Sequence, residues 1–112
     1  MTSLRDVEEV LITPAPAEGV VHPGRLIWVL EIDGRVFVRS WRGPNAAWYR
    51  QSLLSYRARI AGDGFDLDVT LRESHDADDV VDAAFLAKYS SHYALEMIAP
   101  LARETTLELL PA

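Results

Sequence analysis

The sequence predicts an α+β domain, a small barrel or curled sheet of mostly antiparallel strands with helices packed outside it. Three observations carry that expectation. Residues 25–32 (RLIWVLEI) and 35–41 (RVFVRSW) are runs of strand formers separated only by Asp33-Gly34. Residues 66–73 (DLDVTLRE) alternate with a clean period of two, and residues 76–89 repeat apolar side chains at helical spacing.

Taken in order, residues 3–10 read as a short amphipathic helix, with Ser3 or Thr2 as its cap and acids in its first turns. Residues 11–24 contain three of the six prolines and read as a non-helical crossing segment. Asp33-Gly34 between two strand runs is a hairpin signal, because both central residues of a type I′ turn need positive φ. Alternation in the second strand puts Val36, Val38 and Ser40 on one face and Arg35, Phe37, Arg39 and Trp41 on the other. Both faces are partly apolar, as expected if one lines a barrel and the other meets a helix or a second subunit.

Gly43-Pro44-Asn45 breaks that strand, and residues 46–56 then read as a helix with Tyr49, Leu53 and Tyr56 on one side. Residues 57–61 form a short strand, and Gly62-Asp63-Gly64 turns it into 66–73, where Leu67, Val69 and Leu71 point inward. In the helix over 76–89, Asp76 is the expected cap, and Val80, Val81, Ala84, Phe85 and Lys88 share a face. Residues 93–99 add a turn or two before Pro100, and 104–110 is the last strand, with Thr105, Leu107 and Leu109 inward.

The chain's 112 residues match one domain (1–112), of which 1–24 would be the N-terminal helix and crossing segment. No cysteine is present, which excludes disulfide scaffolds, thiolate metal sites and cysteine nucleophiles. No apolar run approaches the roughly 20 residues of a membrane helix, and the acidic N-terminus lacks a signal core. A cytoplasmic protein without a membrane partner is therefore expected. Net charge −6 also argues against nucleic acid.

Charge is unevenly placed. Between Asp33 and Asp63 there is no acid, yet the interval holds Arg35, Arg39, Arg42, Arg50, Arg57 and Arg59. Eight acids follow from Asp63 to Asp82, against a lone Arg72. Either the arginines pair with the acidic run across a sheet, or some of them form an anion site, for which arginine's fork suits phosphate or carboxylate.

Two places concentrate chemistry. Arg39, Ser40, Trp41, Arg42, Trp48, Tyr49 and Arg50 run from a strand end through a Gly-Pro corner into a helix start. Helix N-termini favour anions, and the aromatics suit a fused ring. The competing reading is a packed corner with arginines lying over tryptophans. At the second place, Lys88 and His92 would share one side of a continuing helix, with Tyr89 and Tyr93 on the other. Lys88 there either snorkels to solvent or meets an anion. No metal is expected, since the three histidines have no ligand spacing.

The series Trp28-Val29, Val38-Arg39-Ser40, Gly43, Trp48-Tyr49-Arg50, Arg59-Ile60-Ala61-Gly62, Asp68-Val69-Thr70, Asp82-Ala83-Ala84, Lys88-Tyr89 and Thr105-Thr106-Leu107 with Leu109 and Pro111 resembles an uncharacterised bacterial family, domain of unknown function 2255. The resemblance implies a six-stranded split β-barrel, like the flavin-mononucleotide-binding and deazaflavin-dependent reductases. It further implies a homodimer with the cofactor at the subunit interface. By position, Arg39, Ser40 and Arg42 would hold a cofactor phosphate, with Trp41 or Trp48 near the ring.

Two functions follow as expectations. One is a reductase binding flavin mononucleotide (FMN) or a deazaflavin nucleotide and acting on a small organic substrate. The other is a cofactor-free domain using the same cleft for a small organic anion, either as a binding protein or as an acid–base catalyst through Lys88, Tyr89 or His92. A purely structural partner protein is a third reading.

Overall fold

The computed structural model describes residues 4–89 and 93–112. Seven strands form one antiparallel sheet: β1 (Glu9–Pro14), β2 (Arg25–Trp28), β3 (Leu30–Ile32), β4 (Arg35–Val38), β5 (Arg57–Gly62), β6 (Phe65–Glu73) and β7 (Leu107–Pro111). Their spatial order is β2-β1-β5-β6-β7-β4-β3. The first and last strands of that order, β2 and β3, are neighbours in the chain, separated only by Val29. A sheet whose two ends are joined by one residue must curl, and this one forms a nearly closed barrel. Four helices accompany it: α1 (Ala47–Ser55), α2 (Asp78–Lys88), α3 (Tyr93–Met97) and α4 (Pro100–Arg103).

The hairpin at Asp33-Gly34 forms as expected. Both residues have positive φ, +49° and +80°, and Ile32 pairs with Arg35 across a two-residue turn. The period of two in β6 also holds: Val69 and Leu71 are buried and Leu67 packs against them. The two faces of β4 separate as the alternation predicts. Val36 and Val38 join the barrel interior with Ile12, Ile60 and Leu107, while Phe37 packs outward against Val81 and Phe85 of α2. The outer face of β4 therefore meets a helix.

Four expectations are corrected. Residues 3–10 were expected to be helical, but residues 9 and 10 begin β1, and no described residue before them is helical. Val10, Ile12 and Pro14 are buried and Glu9 and Leu11 exposed, so a period of two and β-branched side chains prevail over the acidic, cap-like start. Partners on both sides, β2 and β5, fix the strand. The strand count among the described residues is seven and not six, because residues 25–32 divide at Val29 and residues 9–14 add a strand. Asp76 does not cap α2: Ala77 is the N-cap residue, without a side-chain bond, and the Asp76 carboxylate binds Arg35 at 2.9 and 3.1 Å. On α2 only Val81 and Phe85 of the expected face are fully buried, and Val80 is exposed.

Arg35 ties β4 to β7 through a two-pronged pair with Glu108, both prongs 2.9 Å, and Arg72 of β6 reaches the same carboxylate at 2.6 Å. Glu108 is buried. The hydrogen bonds from Arg35, then those from Arg72, hold its carboxyl below the usual 4.5 despite burial. In the unfolded chain Glu108 binds its proton more readily, so stability is complete above about pH 4.5 and declines as pH falls below it. Thermal melts across pH should show a plateau at neutral pH and an acid limb below that value. Glu108→Gln should lower the neutral plateau and flatten the limb.

Candidate functional site

A cleft of about 740 Å³ opens where the barrel's seam meets the segment after β4. One wall is β2; the facing wall is formed by residues 39–42 and the start of α1, and α3 contributes Tyr93 and Met97. All three tryptophans of the chain, Trp28, Trp41 and Trp48, border it. Each is fixed differently. Trp28 stacks in parallel on Tyr89, ring centroids 3.9 Å apart at 3°. Trp48 is buried, with its ring edge-on to Tyr49 at 6.1 Å. Trp41 is about half exposed, donates its indole N–H to Glu96, and meets Tyr93 edge-on at 5.6 Å.

The corner between the β4 extension and α1 depends on Gly43. Its N–H closes a turn onto the Ser40 carbonyl at 2.9 Å, and its φ is +74°. A side chain there would lie 3.1 Å from Leu101 Cβ, so both the conformation and the space call for glycine. Pro44 opens the following 3₁₀ turn, and α1 starts at Ala47 without a side-chain cap. Ala46, Ala47 and Trp48 border the cleft, so the helix's uncapped first turn adjoins it.

The arginines of the acid-free interval sort into two groups. Arg35, Arg39 and Arg59 pair with the acidic run, through Asp76, Asp78 and Asp82, and Asp66 and Asp68 respectively. Arg42 makes no ion pair among the described residues; it lies 5.7 Å over the Trp41 ring and borders the cleft. Arg25, on β2, also borders it and is likewise unpaired among the described residues. Glu9 is the one carboxylate on the lining.

Arg39 reaches the cleft lining but spends its guanidinium elsewhere. The side chain is fully buried. Nε donates to Thr106 Oγ1 at 2.8 Å, Nη1 to Asp82 and to the Met97 carbonyl at 3.0 Å, and Nη2 to the carbonyl and carboxylate of Asp78 at 3.3 and 3.2 Å. Five N–H groups meet five acceptors, which leaves none for a ligand. Ser40 differs: its N–H donates to Thr105 Oγ1 at 2.8 Å, but its completely buried hydroxyl has no partner among the described residues.

Of the residues read from sequence, the structure brings Arg39, Ser40, Trp41, Arg42 and Trp48 to the cleft. Tyr49 packs in the barrel interior, where burial raises its phenol pKa, and Arg50 is exposed; neither borders the cleft. Lys88 and Tyr89 are also off its lining. Lys88 Nζ donates to the carbonyls of Leu4, Val7 and Val29 at 3.2, 2.6 and 2.6 Å, and burial lowers its pKa. The Tyr89 hydroxyl donates to the Glu8 carbonyl at 2.6 Å and accepts the Val29 N–H at 3.1 Å, and burial pushes its pKa up to about 12. His92 lies outside the described residues. Sequence reasoning placed Arg25, Trp28 and Tyr93 in elements without assigning them to this site, because closure of the sheet carries β2 to the corner and the packing of α3 carries Tyr93 there.

Fold and cleft together define a small antiparallel barrel with flanking helices and an aromatic, arginine-edged cleft at its seam. The chain belongs to the family described as "Uncharacterized protein conserved in bacteria (DUF2255)", whose profile matches residues 1–109. No functionally curated protein matches it. Among the described residues, no helix is long and apolar enough to cross a membrane.

Burial makes Arg39 a strong test of this assignment of roles. Arg39→Met removes the buried cation shared by Asp78 and Asp82, leaving them the partly exposed Arg103, and should cost roughly 3–5 kcal/mol in urea unfolding. Arg42→Ala, at the exposed corner, should change stability by no more than about 0.5 kcal/mol.

Proposed function

We propose that this chain binds a planar organic ligand carrying an anionic group, a flavin or deazaflavin nucleotide, and serves as a reductase for a small organic substrate. The observation that carries the reading is the convergence of all three tryptophans on one cleft bordered by two arginines that make no ion pair among the described residues. A volume of about 740 Å³ suits a ligand of that size. Trp41 and Trp48 supply flat apolar surface for the ring system. Arg42, assisted by Arg25 and the uncapped start of α1, supplies the charge for a phosphate.

The residues fit a nucleotide in kind: cationic forks, backbone N–H groups and aromatic walls are all present. A bound flavin or deazaflavin would itself supply the hydride chemistry. The chain's part is to bind the phosphate at Arg42, orient the ring between aromatic walls and keep water from it. Arg39 supports this indirectly by fixing the Met97 carbonyl on α3, the helix that also carries Tyr93 and Glu96.

The acid–base alternative draws less support from the structure, since the donors of Lys88 are taken by three carbonyls and Tyr89 remains neutral far above pH 7. A cofactor-free protein binding another planar anion in the same cleft remains the second reading, supported by the same tryptophans and arginines. We further propose a homodimer. Leu11 and Leu26 pair across β1 and β2 on an outward face, with Leu26 64% exposed, and this apolar surface adjoins the cleft.

Titration with FMN, followed by tryptophan fluorescence, should show saturable quenching. Arg42→Ala should weaken FMN about tenfold while leaving riboflavin, which lacks the phosphate, unchanged. Equal effects on both ligands would remove Arg42 from the phosphate role. Light scattering should give a mass near twice the 12.5 kDa of the chain, and Leu26→Glu should reduce it to the monomer.

A further inference from the structure

The wall formed by β2 has a property that its side chains alone do not explain. All four of its residues, Arg25 to Trp28, border the cleft in succession. Side chains alternate along a strand, so four in a row reach one cavity only where the backbone edge itself faces it. β2 is the last strand of the sheet, and among the described residues its second edge carries no strand.

The direction of that edge's polar groups follows from Val29. The register that pairs Trp28 with Glu9 places Val29 opposite Glu8, and the Tyr89 hydroxyl bridges those two, accepting the Val29 N–H and donating to the Glu8 carbonyl. Val29 therefore turns its polar groups toward β1. In an antiparallel ladder alternate residues do the same, so Ile27 also faces β1 and Leu26 and Trp28 turn N–H and C=O away from it. No described group bonds to those outward amides. Ser40, also on the lining, contributes a second unused group: its hydroxyl is completely buried with no partner among the described residues, a cost that a ligand's hydrogen bond would relieve.

We infer that the cleft selects planar heterocycles bearing a lactam or imide edge, read by the outward N–H and C=O of Leu26 or Trp28, with the Ser40 hydroxyl bonding a further ring heteroatom. An adjacent N–H and C=O on the ring match the adjacent C=O and N–H of one edge residue, as two strands would match each other. The inference rests on the binding reading above and narrows it from any planar anion to one with this edge.

Three probes separate the two claims, each titrated against the full chain by tryptophan fluorescence: FMN, its N3-methyl derivative and 1-pyrenesulfonate. FMN carries the imide edge, methylation blocks that edge alone, and the pyrene has a planar ring and an anion but no edge. Methylation should weaken binding at least about tenfold, with 1-pyrenesulfonate no tighter than the methylated flavin. Equal binding of FMN and N3-methyl-FMN would overturn edge recognition and leave the aromatic anion cleft standing. So would binding of 1-pyrenesulfonate when neither flavin binds. Binding by none of the three would overturn both. Ser40→Ala should weaken FMN several-fold without lowering the melting temperature; FMN binding as tight as in the unsubstituted chain would remove Ser40 from the reading of the ring.

Discussion

The structure hangs on one buried cation. Arg39 leaves the end of β4 and reaches Thr106 just before β7, two carboxylates on α2 and a carbonyl on α3. An ion taken out of water costs several kcal/mol unless every donor is met, and here every donor is met. The helices outside the barrel thereby hold one register against it, because moving either one strands an N–H or a carboxylate. Arg103 of α4 braces α2 as well, reaching Asp82 at 3.2 Å, Asp78 at 3.7 Å and, beyond Arg39's pair, Asp79 at 2.6 Å. A lysine could not serve in Arg39's place: it offers three donors from a point, where the guanidinium offers five in a fixed fork.

Closure of the barrel depends on a second, smaller device. Val29 falls between β2 and β3, where the chain passes from one end of the sheet to the other. Its N–H and C=O cannot both find strand partners there. Lys88 and Tyr89, from the end of α2, supply the missing partners and also hold Leu4, Val7 and Glu8 in the segment leading to β1. Buried backbone groups must be paired somewhere, and side chains do it here. The same contact sets Trp28 flat against Tyr89 and so builds one wall of the cleft. A lysine and a tyrosine that suggest catalysis in the sequence thus work as architecture.

These two devices explain which arginines remain for a ligand. Pairing with the acidic run consumes Arg35, Arg39 and Arg59, as the alternation of charge allowed. Arg42 and Arg25 make no ion pair with that run among the described residues, and they border the cleft. The sequence showed a surplus of arginine near tryptophan without showing which members were spoken for. Burial and partner geometry divide them, and neither is a local property.

The sequence by itself determined what short-range physics encodes. Asp33-Gly34 specifies its turn through dihedral angles that few residues accept, β6 shows its faces by alternation, and α2 shows its buried stripe by Val81 and Phe85. The corner at Gly43 was legible for the same reason. Tertiary structure decided the rest. Residues 9–14 carry both a helix-like acidic start and β-branched alternation, and pairing with β2 and β5 settled them as strand. Asp76 has the chemistry of a cap, but Arg35, 41 residues away in sequence, offered it a stronger partner. The cleft itself exists only because the break at Val29 brings β2 beside residues 39–48, a juxtaposition set by which strands pair and not by any residue's own preference.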